Sequence, residues 1–351
     1  MVDTGYNRTL YWRVQTRESP VAVERLQELR VWTAQALRLA AVDLQALPAD
    51  ASFRRYFRVR DGARSFIVMD APPPQENCRP YVQVAGLLKT AGVHAPEILA
   101  QDLARGFLLL SDLGRQSYLE ALKNGNPDEL FADAIDALIR WQRASRPGVL
   151  PVYDRALLRR ELNLFPEWYL AWHLGVTLGA NEQAGLEGVF QLLEDSALAQ
   201  PQVYVHRDYM PRNLMVAVPN PGVLDFQDAL FGPITYDIAT LFKDAFISWD
   251  AGQILRWRRQ YWQQARQAGL PLPDFDEFER ACDWMGMQRH FKVLGIFARL
   301  RYRDDKRGYL EDTPRFLNYV RTTARQYHAL ASLLPVLDVV ESRTQTGVCA
   351  S

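Results

Sequence analysis

The stretch 203–226 constrains the fold of this chain more than any other part of its sequence. Strand-like residues occupy three short runs there, at 203–205, 214–218 and 223–226. Pro219-Asn220-Pro221-Gly222 is typical of a turn between the last two runs. If this turn closes a hairpin, Asn213 and Asp225 come out at its open end, within a few residues of facing each other. The sequence therefore predicts an amide oxygen and a carboxylate at one end of a short hairpin.

The polar residues around this hairpin have the types and the spacing that phosphoryl transfer requires. His206-Arg207-Asp208 precedes the hairpin, and Asn213 follows five residues after Asp208. Amide and carboxylate oxygens are hard ligands that suit Mg²⁺ between phosphates, which assigns Asn213 and Asp225 to the metal. The reaction also needs a carboxylate that orients the attacking hydroxyl, and we interpret Asp208 as that catalytic residue. The spacing matches the catalytic loop of protein kinases.

A purely structural interpretation of the same residues is the alternative. His206 would then be a core histidine, Asp208 a helix or turn cap, and Asn213 a turn residue. Asp225 on the second strand favours the functional interpretation. Asp237, which opens the next predicted helix, has two compatible interpretations, an N-cap and a buried acceptor that supports the catalytic loop together with His206, and we favour the combination of the two.

Length and charge indicate a two-lobed protein that binds small molecules. The chain has 351 residues, of which 48% are hydrophobic, and this suffices for two packed units. Lysine plus arginine and aspartate plus glutamate number 41 each, so no overall field attracts nucleic acid or an anionic membrane. Three distant cysteines and the lack of a signal or membrane-spanning segment favour the reducing cytoplasm. We expect a cytoplasmic monomer without nucleic-acid or membrane partners.

The pattern of predicted elements changes once along the chain. Residues 1–19 are polar and aperiodic, and we interpret them as a disordered extension. Residues 20–112 combine helices with short strands and form a small mixed lobe, which we expect to bind the nucleotide. Residues 113–351 are mainly helical apart from the hairpin region, with one long helix from Thr313 to about Leu334. The expected fold class is α+β, with a small mixed α/β lobe and a larger, mainly helical one.

Several stretches resemble the aminoglycoside phosphotransferase and choline kinase family, which has a protein-kinase-like bilobal fold. The resemblance covers about residues 20–335 and includes His206–Asn213, Asp225, Asp237 and the lobe connection at Phe107–Gly114. Within that group, VHRDYMPRNLMV and GVLDFQDALFGPITYDIATLFKDAF look like the bacterial anomeric kinases of cell-wall sugar recycling. This resemblance implies ATP- and Mg²⁺-dependent phosphorylation of the C1 hydroxyl of N-acetylmuramate and N-acetylglucosamine.

The expected nucleotide site departs from the family in one respect. The third strand of the fold usually carries a phosphate-binding lysine, but Ser65–Asp70 contains none. The resemblance then implies ATP contacts from other residues, which are Ser52, Arg54, Arg55, Asp112 and Leu113. The arginines of this segment, including Arg58, are equally consistent with solvated charges on an edge strand.

Four polar residues of the larger lobe are candidates for contacts with the sugar. They are Glu161, Arg207, Lys243 and Asp244. Glu161 has Phe165 and Trp168 at helical spacing, so a core stripe with a solvated glutamate is the alternative. Lys243 and Asp244 follow from the resemblance to choline kinases alone.

Two other functions remain open on the sequence. A kinase of an aminoglycoside or amino alcohol would require exposed carboxylates for its cationic substrate, whereas the local charge here is mixed and often basic. A pseudokinase that only binds nucleotide or a partner is suggested by the missing lysine. The joint presence of Asp208, Asn213 and Asp225 argues against it.

Overall fold

The computed structural model describes residues 20–48 and 52–345. The predicted extension at 1–19 lies outside the described residues. No helix within the described ranges is both long and apolar enough to cross a membrane.

The chain divides into two compact units. The first contains the described residues up to Cys78 together with Ile98–Asp112. The second contains Arg79–Glu97 and the described residues from Leu113 onward. The first unit ends at Asp112 and is not continuous in sequence, because Arg79–Glu97 belongs to the second.

Arg79–Glu97 belongs with the second unit because its side chains and backbone pack there. The Tyr81 ring lies 4.6 Å from the ring of Phe226. The N–H of Val223 donates to the carbonyl of His94 over 2.7 Å. The predicted small lobe of 20–112 therefore contains a segment that packs against the hairpin region of the larger unit.

The first unit is a five-stranded antiparallel sheet with one long helix. Its elements are α1 (Pro20–Leu37), β1 (Gln45–Ala46), β2 (Arg55–Asp61), β3 (Arg64–Asp70), β4 (Ile98–Asp102) and β5 (Phe107–Ser111). The strand order is β1-β2-β3-β5-β4, so β2 lies inside the sheet. A tight turn with Gly62 at a φ of 58° joins β2 to β3, as the Asp-Gly pair predicts.

A buried aspartate and an aromatic pair tie α1 to this sheet. Asp70 is fully buried, and its Oδ1 accepts from Arg25 Nε at 2.9 Å. Its Oδ2 accepts from Arg55 Nη2 at 2.5 Å. Trp32 of α1 lies 5.7 Å from Phe107 of β5, ring to ring. Burial of this carboxylate is tolerated because two cations neutralise it.

The second unit is mainly helical. Its helices are α2 (Arg79–Thr90), α3 (Tyr118–Ala121), α4 (Pro127–Arg143), α5 (Arg155–Leu164), α6 (Ala180–Ala199), α7 (Tyr236–Phe242), α8 (Ala251–Gln267), α9 (Phe275–Tyr302), α10 (Thr313–Gln326) and α11 (Leu334–Gln345). A π-helix follows α5 at Phe165–His173, and 3₁₀ turns occupy Pro211–Asn213, Arg307–Asp312 and His328–Leu333. Two short antiparallel pairs complete the unit: β6 (Gln202–Val205) with β9 (Leu230–Pro233), and β7 (Leu214–Met215) with β8 (Gly222–Val223).

The long helix α9 is the centre of this unit. It packs against α5, α6, α7, α10 and the π-helix, and most of its residues are buried. At Gly295 the neighbouring backbone comes so close that an added Cβ would lie 2.3 Å from the carbonyl carbon and oxygen of Leu164. Glycine is therefore needed where α9 crosses the end of α5.

The structure differs from the predicted elements at three places. The β7–β8 hairpin is shorter than the predicted strands 214–218 and 223–226. No strand was predicted at 230–233, yet β9 lies there and pairs with β6. The predicted helix from Thr313 to about Leu334 is interrupted, since Tyr327 has extended backbone angles (φ −115°, ψ 113°).

Replacing Gly295 tests this close crossing. We expect Gly295→Ala to lower the free energy of unfolding by about 1–3 kcal/mol, because the new methyl group clashes with backbone that cannot yield. Gly188→Ala is the matched control: this helical glycine has no neighbour within 4 Å of an added Cβ, so we expect up to about 1 kcal/mol of stabilisation. Urea denaturation measures both changes, and equal effects of the two substitutions would contradict the packing described.

Candidate active site

The hairpin brings together the three residues expected to carry catalysis and metal binding, two through their side chains and Asp208 through its backbone oxygen. Beyond the β7–β8 pair, the N–H of Leu224 donates to the carbonyl of Asn213 over 2.9 Å. At the open end of the hairpin, Asn213 Nδ2 lies 3.5 Å from Asp225 Oδ2. The same amide nitrogen donates to the backbone oxygen of Asp208 at 3.0 Å. Asn213 therefore contacts both Asp208, the catalytic candidate, and Asp225, the second metal-binding candidate.

Two residues of this region have backbone angles that L-amino acids rarely adopt. The φ of Arg207 is 76° and that of Asp225 is 60°. Such left-handed conformations cost about 1–3 kcal/mol each and persist only where surrounding contacts hold them. Strain directly before Asp208 and at Asp225 itself is typical of an active site.

Asp237 supplies contacts that hold the loop in this conformation. Its buried carboxylate accepts from the N–H of His206 over 2.7 Å and from the N–H of Arg207 over 3.0 Å, one on each oxygen. Burial raises the pKa of Asp237 to about 7, although the two N–H groups oppose the rise. Thr235, not Asp237, occupies the N-cap position of α7. The N-cap interpretation of Asp237 is thus wrong, and its carboxylate contacts the loop instead.

His206 has a defined tautomer because both ring nitrogens have partners. Nε2 lies 3.0 Å from the carbonyl of Leu224, which only accepts, so Nε2 carries the hydrogen. Nδ1 accepts from the N–H of Asp208 at 3.3 Å. Burial lowers the pKa of His206 to about 4, which keeps the ring neutral at pH 7. A neutral imidazole thus connects the loop to the hairpin.

The oxygens of Asn213 and Asp225 fit a magnesium ion. Because the amide nitrogen of Asn213 is used by the Asp208 carbonyl, its oxygen is the atom left to bind a cation. Asp225 Oδ1 accepts from Gln227 Nε2 at 2.8 Å, which orients the carboxylate. Within 20–48 and 52–345 there is no group of three or more His, Cys, Asp or Glu side chains that could hold a metal. An amide oxygen and a carboxylate are ligands that Mg²⁺ accepts alongside phosphates and water.

Comparison with known proteins places this chain in a family. A model described as the phosphotransferase enzyme family matches residues 43–275. The chain belongs to this family. It is 56% identical over 320 residues to the N-acetylmuramate/N-acetylglucosamine kinase of Pseudomonas aeruginosa, covering 88% of this chain and 95% of the relative. A kinase of the same name from Pseudomonas putida is 55% identical over 320 residues, covering 88% and 94%. The phosphotransferase is accordingly an enzyme, and its kinase relatives act on a small-molecule acceptor.

Comparison with solved structures concerns the fold. A choline/ethanolamine kinase family protein from Mesorhizobium loti superposes with a TM-score of 0.57, covering 88% of this chain and 99% of that one at 17% identity. At this identity the likeness shows the fold alone. The expected α+β, kinase-like fold with a small sheet lobe and a larger helical lobe is confirmed.

The phosphotransferase holds two of its predicted sugar-contacting residues in an ion pair. Arg207 Nη2 lies 2.5 Å from Glu161 Oε1, and Lys292 Nζ lies 3.0 Å from the same oxygen. Only 6% of the Glu161 side chain is exposed, so this residue is not the solvated glutamate considered above. Sugar contact by Glu161 or Arg207 stays a prediction that this pairing disfavours.

The other two candidates, Lys243 and Asp244, follow α7. Lys243 Nζ lies 3.0 Å from Asp283 Oδ1, which also accepts from Arg258 at 2.8 Å. Asp244 is buried; its Oδ1 accepts from the N–H of Ala245, and its Oδ2 has no hydrogen-bond partner in the described part of the chain. Burial raises the pKa of Asp244. Asp244 is thus the better candidate for a hydrogen bond from a substrate.

The arginines expected at the nucleotide are paired with carboxylates. Arg54 Nη2 lies 3.1 Å from Glu76 Oε2, and Arg55 Nη2 lies 2.5 Å from Asp70 Oδ2. The hydroxyl oxygen of Ser52 accepts from the N–H of Arg54 at 3.2 Å, which shapes the turn before β2. Because β2 pairs with β1 and β3, the interpretation of solvated charges on an edge strand is wrong.

Asp112, a predicted nucleotide contact, is the last residue of the first unit. It accepts two N–H groups of Arg58 at 2.6 and 3.0 Å and the hydroxyl of Ser65 at 2.5 Å. Leu113 begins the next stretch of the second unit. These contacts fix the carboxylate of Asp112 in place, and nucleotide binding by either residue stays a prediction.

Sequence analysis missed Lys292, which completes the ion-pair cluster around Glu161. The signal was present, because Lys292 is the one cation in the otherwise apolar run of α9 from Phe291 to Ala298. A cation buried in such a run requires an anion, but the sequence does not show which one.

The neutral state of His206 has a measurable consequence. The pKa of His206 is lower in the folded state than in the unfolded state. Its contribution to the free energy of unfolding is therefore complete above about pH 6.5 and is lost as the pH falls towards 4, by about 3 kcal/mol in all. We therefore expect the stability difference between the wild type and His206→Gln to shrink over this range in urea denaturation. Both proteins keep Asp237, so its own titration largely cancels. A pH-independent difference, or an NMR titration of His206 near 6.5, would contradict the described hydrogen bonds.

Proposed function

We propose that this phosphotransferase transfers the γ-phosphoryl group of ATP to the C1 hydroxyl of N-acetylmuramate and N-acetylglucosamine. The observation that carries the proposal is the 56% identity, over 88% of this chain, to a protein named N-acetylmuramate/N-acetylglucosamine kinase. The choice of the C1 hydroxyl rests on the sequence resemblance to the anomeric kinases of cell-wall sugar recycling. The sugar 1-phosphate would then be available for peptidoglycan recycling.

Asp208 is the proposed catalytic residue. Its carboxylate accepts a hydrogen bond from the acceptor hydroxyl, aligns that oxygen with the γ-phosphorus opposite the leaving ADP, and takes the proton as the new O–P bond forms. Asn213 and Asp225 would hold Mg²⁺, which when bound neutralises charge on the phosphates. The hydrogen bonds from Asn213 to the Asp208 carbonyl and from the loop to Asp237 support this arrangement, because they fix the groups relative to each other.

Arg54 is the proposed cation of the nucleotide site. Kinases commonly hold the phosphates with a lysine that pairs with a glutamate. The pair of Arg54 and Glu76 has the same chemistry, and the adjacent hydroxyl of Ser52 can donate to a phosphate. Arg55 suits this role less well, because its Nε and Nη2 both donate to Asp70. Asp112 and Leu113 would contact the nucleoside.

Other acceptors and other cellular settings are less well supported. Relatives that share more than half of their residues with this chain are named for acetylamino sugars, whereas the choline/ethanolamine neighbour shares 17%. A pseudokinase does not explain why Asp208, Asn213 and Asp225 lie together. We propose a cytoplasmic location, since the described cysteines, Cys78 and Cys282, are buried and form no disulfide. We also propose that the protein is a monomer.

Asp208→Asn tests the assignment of the catalytic carboxylate. We expect kcat to fall about 10²–10⁴-fold with either acetylamino sugar, because the amide cannot take the hydroxyl proton. The Kd for ATP should change by less than about threefold, since Asp208 is not a proposed nucleotide contact. Coupled detection of ADP release and fluorescent nucleotide binding measure the two quantities.

Asp195→Asn is the matched control for this substitution. Asp195 is 63% exposed and pairs with Arg155 on α5, so we expect unchanged kcat. Retention of kcat within tenfold in Asp208→Asn would refute the catalytic assignment. Turnover with an aminoglycoside but with neither acetylamino sugar would refute the proposed substrate instead.

A further inference from the structure

A buried carboxylate of α5, Glu161, has two cationic and two neutral partners. Its Oε1 lies 2.5 Å from Arg207 Nη2 and 3.0 Å from Lys292 Nζ. Its Oε2 accepts from the hydroxyl of Tyr153 and from Gln288 Nε2, the latter at 3.2 Å. Every lone-pair direction of the carboxylate is therefore used, which is what a buried charge requires.

The cluster is ionised. Burial alone would raise the pKa of Glu161, but Lys292 and Arg207 outweigh burial and lower it to about 2. Two cations share one carboxylate, so the cluster has a net positive charge. Removing the charge of Glu161 would leave both cations without their anion.

Arg207 is held at both of its ends, and it directly precedes the proposed catalytic residue Asp208. Its N–H donates to Asp237 over 3.0 Å, and its guanidinium binds Glu161. Its φ of 76° is one that an arginine leaves readily unless it is held. Lys292 extends the cluster, because its Nζ also lies 3.2 Å from the hydroxyl of Tyr236, next to Asp237 in the chain.

We propose that Glu161 is a positioning residue for phosphoryl transfer: by binding Arg207 it keeps Asp208 in its working orientation without any covalent modification of the chain. Where kinases order a loop on demand, a phosphorylated side chain supplies the anion for an arginine. Here the anion is the carboxylate of Glu161, a buried residue of α5, so the loop is ordered permanently. The inference rests on the proposed function, since it concerns the same reaction.

Two variants separate positioning from charge balance. Glu161→Gln keeps the shape of the side chain and removes the charge. The double variant Glu161→Gln/Lys292→Met also removes one cation, so the net charge of the cluster equals that of the wild type. We expect kcat to fall about 100-fold in both, as a misplaced catalytic group causes, with KM for ATP within about threefold. If Glu161→Gln does not fold, the kcat of the double variant tests the positioning role of Glu161.

Glu194→Gln is the matched control, because Glu194 is a buried carboxylate of α6 that binds two arginines, Arg155 at 3.0 Å and Arg159 at 2.5 Å. It should lose stability but keep kcat, measured well below the unfolding midpoint of each variant. A double variant with wild-type kcat, or an equal loss of kcat in Glu194→Gln, would overturn the proposal. If the wild type phosphorylates neither acetylamino sugar, the proposed function fails; if it does and the double variant matches it, only the inference fails.

Discussion

The site depends on the hydrogen bonds that the carboxylate of Asp237 accepts. It is fully buried at the start of α7, and its two oxygens accept the backbone N–H groups of His206 and Arg207. These bonds offset the strain of the left-handed conformation at Arg207. They thereby fix the backbone position of Asp208, the next residue. His206 then transmits the constraint, because its ring joins the N–H of Asp208 to the carbonyl of Leu224 beside the hairpin.

The rest of the fold uses a related device, a buried carboxylate whose partners are two cations instead of two backbone N–H groups. Four instances occur in the described residues: Asp70 with Arg25 and Arg55, Glu161 with Arg207 and Lys292, Glu194 with Arg155 and Arg159, and Asp283 with Lys243 and Arg258. Such clusters are poor sources of net stability but are very unfavourable to break. They therefore fix which helices and strands meet within each unit.

The sequence predicted the parts of the site that depend on local geometry. Asp208, Asn213 and Asp225 lie within one loop and one hairpin, so their spacing and the 219–222 turn were enough to predict that they meet. Glu161 could not be placed in this way, because its partners Arg207 and Lys292 are distant in sequence and helical periodicity gives a face but not a partner. Strand β9 was missed because its pairing with β6 overrides the turn preference of Gly232-Pro233.

Phosphorus NMR of the purified protein with ATP and Mg²⁺ shows whether the protein phosphorylates an acetylamino sugar at C1. N-acetylmuramate, N-acetylglucosamine and an aminoglycoside would be offered separately. We expect a sugar 1-phosphate resonance with either acetylamino sugar, coupled to the anomeric proton, and none without the divalent cation. A product that forms only with the aminoglycoside, or no product despite nucleotide binding, would contradict this expectation.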